Sequence, residues 1–438
     1  MRKNLLQLWL FVHFGRFASY ATLHRIFKSF KMKKMQNRTL GAFEKTFWLL
    51  DLIDSKDFAL AAEIEGRKTV AQWQQALYEA QQRHPNLSVR IVLDALSRPV
   101  LEHIDNMPIP LRALNVPDDY RWESEVEKEL AVRFDTSQSP LLRAIIVQKP
   151  RNTVLILVGH HAVADGTSLN YLVRDILAAV TGQQLLPMPP QVSNDETIGL
   201  AGHPEADGSG YAGLAPEPGK IFAPKISSIR ISQSLTRDII ERARREQTTV
   251  HGAICASVLM ASRKMRPEWS DKKIEMISPV CSRKALQLDD NYGLNITTHP
   301  VHFEGDQQLS FWEIARLAKA GLSGTDTVTH VENYIGFFRG LTFDTPDIRE
   351  VIDILKQAFN QEIMVTNLGR VKYQTEFGDL KLKALYGPMV RSGKGKEQTI
   401  GALTSNGSLC LTNTSDTPID GLLEAMERLL LEACAAAD

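Results

Sequence analysis

Val154-Leu155-Ile156-Leu157-Val158-Gly159-His160-His161-Ala162-Val163-Ala164-Asp165-Gly166 is the stretch whose reading decides the fold. The first five residues form a short, branched apolar run bounded by Gly159, which predicts a strand buried on both faces. Beyond the run, Leu169, Leu172, Val173, Ile176 and Val180 fall on one side of a helix that Thr167 or Ser168 can cap. His161 is therefore expected on a rigid turn just past a buried strand. An imidazole with an ordinary pKa of about 6.5, held there, is placed to take a proton from a hydroxyl or an amine. Two histidines, an aspartate and a glycine at these offsets arise by chance roughly once in a thousand chains of this length. The bland alternative is a turn in which Asp165 makes only a local side chain-to-backbone bond.

Working outward, residues 43 to 183 alternate helix and strand. Thr69 opens a helix with Val70, Trp73, Leu77 and Ala80 inward, ended by Pro85. Residues 87 to 93 read as a strand, and Trp122, Val126, Leu130 and Phe134 mark a second amphipathic helix. Residues 143 to 148 and 153 to 158 are strands joined by the turn Lys149-Pro150-Arg151-Asn152, which places the motif strand inside a mixed sheet. Residues 183 to 224 break every period with prolines, glycines and acidic residues and read as a linker or crossover. After it come a strand at 225 to 232, a charged helix at 236 to 246 and a largely apolar helix at 249 to 265. Helices at 311 to 322 and 347 to 359, strands at 362 to 366, 380 to 386, 399 to 405 and 408 to 413, and a final helix at 419 to 433 complete the pattern.

The heptad His160 to Gly166 resembles the His-His-x-x-x-Asp-Gly signature of the acyl-CoA-dependent acyltransferase superfamily. That superfamily contains chloramphenicol acetyltransferase, the plant BAHD acyltransferases, peptide-synthetase condensation domains and polyketide-associated mycocerosyl transferases. Other segments follow in the order the family places them. Arg83-His84-Pro85-Asn86-Leu87 resembles its RHPxL segment, Phe134-Asp135 with Ser139-Pro140-Leu141-Leu142-Arg143 its FDxxxxPLLR stretch, and Pro279-Val280-Cys281-Ser282-Arg283 its PVxxR segment. Asn291-Tyr292-Gly293-Leu294-Asn295 and Thr366-Asn367-Leu368-Gly369 are similar to its later asparagine-glycine turns. The resemblance spans about residues 37 to 425, and its nearest pattern is the phthiocerol dimycocerosyl transferase type or a stand-alone condensation-like protein.

The resemblance implies an α/β fold with mixed sheets, built as two chloramphenicol acetyltransferase-like subdomains around a central tunnel. These would be residues 37–182 and 225–438, joined by 183–224. It implies acyl transfer from a thioester to an alcohol, with His161 as general base and no covalent enzyme intermediate. His160, Asp165, Gly166 and Arg283 would be structural residues of the active site, Asp165 pairing with Arg283, and Asn295 and Asn367 would contact substrate. The co-substrate would be acyl-CoA or an acyl-carrier protein, with a small alcohol or amine as acceptor and a carrier or polyketide synthase domain as a partner in lipid or polyketide biosynthesis. No bound cofactor and no metal are implied. Alternatives are an amide-forming condensation enzyme and a non-catalytic binding member of the fold.

Composition fits a large enzyme of two or more domains: 438 residues, 43% hydrophobic, with 51 basic and 51 acidic residues. A balanced charge offers no field for nucleic acid. Cys255, Cys281, Cys410 and Cys434 form no metal-ligating spacing and read as small buried thiols. Residues 1–36 are basic and apolar, with an apolar block too short to span a bilayer. They read as an extension preceding a later start at Met32 or Met35, as a signal peptide, or as a peripheral amphipathic anchor, and the first of these goes with a cytoplasmic protein. His299 and His302 face opposite sides of an alternating strand and are not expected to share a metal. Lys394-Gly395-Lys396 reads as a solvated basic turn that could also meet a CoA phosphate or an acidic carrier protein. Dinucleotide, Walker and Gly-x-Ser-x-Gly motifs are absent.

Overall fold

The structure, a computed structural model, describes residues 37–138, 140–200, 209–215, 222–305, 308–344, 347–358, 360–391 and 395–435. The basic and apolar stretch 1–36 and Lys394 lie outside the described residues. From residue 39 onward the described chain is one compact unit.

In the first part, helix α1 (Ala42–Ile53) leads into strand β1 (Asp57–Glu65) and helix α2 (Val70–Arg83). Thr69 caps α2, its hydroxyl accepting from the Gln72 amide. Strands β2 (Val89–Leu93) and β3 (Pro99–His103) form a hairpin, followed by β4 (Leu111–Asn115) and α3 (Glu123–Leu130). Strands β5 (Leu142–Gln148) and β6 (Asn152–His160) are an antiparallel hairpin, and helix α4 (Gly166–Val180) follows the motif turn. The second part contributes β7 (Lys225–Arg230), α5 (Gln233–Arg245), α6 (Val250–Met265), β8 (Ile274–Cys281), β9 (Ile296–Phe303) and α7 (Phe311–Gly321). Then come α8 (Val328–Arg339), α9 (Ile348–Ala358), β10 (Ile363–Arg370), β11 (Glu376–Phe377), β12 (Leu380–Val390), β13 (Gln398–Ser405), β14 (Ser408–Ser415) and α10 (Leu422–Ala435). Helix α8 and strands β3 and β4 carry no clear period, and the sequence pattern does not predict them.

Two six-stranded mixed sheets result, ordered β11-β12-β1-β6-β5-β4 and β9-β8-β10-β13-β14-β7. The motif strand β6 lies inside the first, antiparallel to β1 with Asp57 opposite His160. Its residues Val154 to Val158 are all at most 2% exposed, as an apolar run inside a covered sheet requires. Leu169, Leu172, Val173 and Ile176 of α4 are fully buried beneath it. The second sheet packs against α6, α7 and α10 through a core that includes Ile254, Val258, Ile314, Val365, Leu411 and Met426. The fold is thus α/β with mixed sheets in two subdomains.

Two expectations need correction. Strands β11 and β12 lie within 225–438 yet complete the first sheet, β12 running antiparallel to β1. The sheet boundary therefore does not follow the division at 183–224. That segment is also less open than its prolines suggest: Asn194, Asp195 and Tyr211 are buried, and Asp195 accepts a 2.9 Å bond from the Ala42 amide. The parts at 201–208 and 216–221 lie outside the described residues. Among the described residues no helix is long and apolar enough to cross a membrane.

Candidate active site

The turn after β6 is held by its own backbone. The His161 amide donates to the Lys56 carbonyl (3.0 Å), and the Val163 amide to the His160 carbonyl (3.2 Å). Asp165, and not Thr167 or Ser168, caps α4: its Oδ1 accepts from the Ser168 amide at 2.8 Å and the Ser168 hydroxyl at 3.1 Å. A carboxylate here satisfies free amides and meets the positive end of the helix dipole, which a hydroxyl does less well.

His161 is only 6% exposed and stacks between Phe47 and Phe58, with ring centroids 4.7 and 4.2 Å away. Its Nδ1 lies 3.1 Å from the Ala164 carbonyl, an acceptor, so Nδ1 carries the proton and Nε2 keeps its lone pair. Burial lowers the imidazole pKa to about 4, although Asp165 and the Ala164 carbonyl pull it upward. At neutral pH the ring is therefore an uncharged base of fixed tautomer.

Arg283 closes the turn from behind. Its Nη1 donates to Asp165 Oδ2 at 2.7 Å, and its Nη2 donates to the Ser168 hydroxyl (2.8 Å) and the Asn291 (3.2 Å) and Gly293 (3.1 Å) carbonyls. Burial opposes the charge on Arg283, but the Asp165 carboxylate outweighs it and raises the guanidinium pKa above its ordinary value. Gly166 has no room for a Cβ, which would strike the Pro388 ring and come within 3.1 Å of Leu368. Its φ is not positive, so close approach, rather than the freedom of a turn, requires glycine there.

His160 points away from the cavity into a buried cluster with Asp51 and Asp57, whose ligating atoms lie within 4.8 Å of one another. The Ala162 amide donates to His160 Nδ1 at 3.1 Å, leaving the ring proton on Nε2, 3.5 Å from Asp51 Oδ1. The ring thus offers a proton where a metal ion needs a lone pair. Among the described residues neither carboxylate oxygen of Asp57 has a hydrogen-bond partner, and burial pushes this group up to about 6.

His161, Gly166 and Asn367 line one cavity of about 950 Å³, counting its open mouth. Much of the wall is apolar, including Phe47, Leu50, Met364 and Val390. Asn367 sits on β10 with its Oδ1 accepting from the Gly369 amide at 2.8 Å. Asn295, expected to touch substrate, does not line the cavity; it is fully buried, with its Oδ1 accepting from Gln191 at 2.7 Å. Lys56, Thr298, Thr366 and Arg391 also line the cavity; sequence reasoning singles out none of them as a site residue, because nothing in the residues beside them marks which wall they share. Cys281, read as a buried thiol, is exposed and lines the cavity, whereas Cys255 and Cys410 are buried. His299 is buried and His302 largely exposed, on opposite faces of β9.

Known proteins share this fold. The condensation-domain family matches residues 57–192, and the C-terminus of the phthiocerol/phthiodiolone dimycocerosyl transferases matches residues 221–287. Polyketide synthase associated protein 5 from Mycobacterium tuberculosis shares the fold at a TM-score of 0.65 and 16% identity, over 92% of this chain and 98% of that one. The first condensation domain of the CDA synthetase does so at 0.66 and 16%, over 91% and 96%. The fold is that of the chloramphenicol acetyltransferase-like condensation domains and polyketide-associated proteins. A condensation-type segment at 57–192 and a dimycocerosyl-transferase-type segment at 221–287 thus follow one another along this chain, which supports acyl transfer or condensation in general. A plipastatin synthase polypeptide of Bacillus subtilis is 23% identical over 290 residues, 61% of this chain and 11% of the synthase. Malformin synthetase of Aspergillus luchuensis is 29% identical over 257 residues, 55% of this chain and 5% of the synthetase. The chain thus matches only a small part of each of these synthetases.

Proposed function

We propose that the protein moves an acyl group from a thioester, acyl-CoA or an acyl-carrier protein, to an alcohol. The observation that carries this reading is His161: an uncharged imidazole of fixed tautomer whose Nε2 makes no hydrogen bond among the described residues, set in the wall of a largely apolar cavity. The acceptor oxygen attacks the thioester carbonyl while Nε2 takes its proton. The carbon-sulfur bond then breaks, and the same proton passes to the departing thiolate. No bond to the protein forms, and the cavity contributes by holding the two substrates in contact. Asp165 and Arg283 keep the turn in place and do not meet the substrates.

Amide formation from an amine acceptor is the second reading, favoured by the condensation-domain match over the motif half. Incubation of the full chain with acyl-CoA and acyl-carrier thioesters against paired alcohols and amines, read by mass spectrometry, tests both. Ester products that vanish in His161→Ala support the first reading, and amide products that vanish there support the second. No transfer to either acceptor with any thioester favours a binding protein that keeps the fold.

A further inference from the structure

Besides the uncharged ring of His161, the described wall of the cavity carries two cations, Lys56 and Arg391, and among the described residues no aspartate or glutamate lines it. Their counter-charges lie behind the wall. Lys56 Nζ is 3.3 Å from Asp54 Oδ2, while Arg391 Nη2 is 3.0 Å from Asp416 Oδ2 and 3.5 Å from Asp54 Oδ1. These carboxylates engage one of the three guanidinium nitrogens. Arg391 is 8% exposed, and among the described residues its Nε and Nη1 have no acceptor. Buried donors without acceptors are costly, and on a guanidinium an oxyanion satisfies them best. Glu397 is buried in the same region, and burial pushes it up to about 7, so below neutrality it adds little negative charge.

We propose that Arg391 and Lys56 form a subsite for an anionic oxygen group, a carboxylate or a phosphate, carried by one of the two substrates; the assignment rests on the acyl-transfer reading of this cavity. The Lys56 carbonyl accepts from the His161 amide at 3.0 Å, and Lys56, Arg391 and His161 line the same cavity, so the subsite lies near the reacting atoms. A pantetheine phosphate is held away from its sulfur by the whole length of the pantetheine arm, whereas a carboxylate on a small acceptor is not. The acceptor is therefore the source the geometry favours. The apolar side chains of Phe47, Leu50 and Val390 on the same wall suit the hydrocarbon body of a hydroxy acid.

Calorimetric titration of the full chain with two matched pairs tests this without requiring turnover: 3-hydroxydecanoate against its methyl ester, and 4′-phosphopantetheine against pantetheine. The carboxylate should bind about tenfold or more tightly than the ester, and the preference should disappear in Arg391→Gln and shrink in Lys56→Gln. Arg391→Lys, which keeps the charge, should retain part of it, and circular dichroism of each variant checks that it has folded. Should Arg391→Gln not fold, Lys56→Gln and Arg391→Lys decide: unchanged preference in both overturns the proposal. A preference confined to the phosphopantetheine pair overturns the acceptor as source. Equal affinities within both pairs, no measurable binding of either anion, or a preference untouched by Arg391→Gln overturns the subsite. A protein that shows the Arg391-dependent preference but transfers no acyl group keeps the subsite and loses the acyl-transfer reading, so the two failures are told apart.

Discussion

The Nδ1 of His161 and the carbonyl of Ala164, three residues apart and 3.1 Å from each other, settle which nitrogen of the ring is basic. With Nδ1 committed as donor, Nε2 is the sole proton acceptor the residue can offer. Replacing His161 by Ala should lower acyl transfer by about 10²- to 10⁴-fold while leaving the fold intact. Initial rates with any accepted thioester check this, and an unchanged rate would remove His161 as the base.

A second expectation concerns pH. A free imidazole titrates at about 6.5, and His161 in the folded protein at about 4. Transfer should therefore stay level from pH 8 down to about 5 and decline only as pH falls toward 4. Between the two values the unfolded chain binds the proton and the folded one does not. Stability contributed by His161 is accordingly present above about pH 6.5 and lost as pH falls through that window. In His161→Phe the loss between pH 7 and 5 should be smaller by on the order of 2 kcal/mol, measured as denaturant midpoints at both pH values. Parallel behaviour of variant and wild type would contradict the lowered pKa.

Asp57 should act with the opposite sign. Its folded pKa of about 6 lies above the ordinary 3.8, because burial penalises the carboxylate. The folded protein then holds the proton where the unfolded chain has released it, so this contribution is lost as pH rises through 6. Asp57→Asn, which copies the uncharged form, should raise the melting temperature relative to wild type more at pH 8 than at pH 5. A larger gain at pH 5 would mean that the charged carboxylate is the stabilised form.

The buried pair of Asp165 and Arg283 should show itself in a double-mutant cycle. Removing either partner leaves the other charge buried, which costs about 3–5 kcal/mol. Asp165→Ala should be the worse of the two, since Asp165 also caps α4 and accepts from the Asn295 amide at 2.8 Å. The double variant should be less damaged than the sum of the singles, and strict additivity in urea melts would show that the two do not share their stabilisation.

The strand, turn and helix around His161 are legible in the sequence because their signals are local: an apolar run, a glycine, and a 3.6-residue period from Leu169 to Val180. The capping residue is not, because hydroxyls at 167 and 168 and a carboxylate at 165 can each cap a helix, and only the turn geometry chooses among them. Strand β12 is legible as a strand, but not as a neighbour of Asp57–Glu65, since pairing over some three hundred residues leaves no trace in either segment. Asn295 illustrates the reverse error. An asparagine in a motif-like turn suggests a ligand, yet its amide serves Asp165 and its side chain Gln191, so it supports the site from outside. Lys56 and Arg391 are invisible because what matters about them is which wall they share.

Because β12 belongs to the first sheet, that sheet cannot be finished when its own half of the chain leaves the ribosome. Strand β1 must keep an unpaired edge while everything from the motif helix to Val390 is still being made, an interval of roughly tens of seconds at ordinary rates of synthesis. An apolar strand such as Asp57–Glu65 waiting with open backbone groups is a template for unwanted pairing. Nascent chains halted before residue 376 should therefore depend on chaperones and aggregate without them, whereas release after residue 390 lets the edge close.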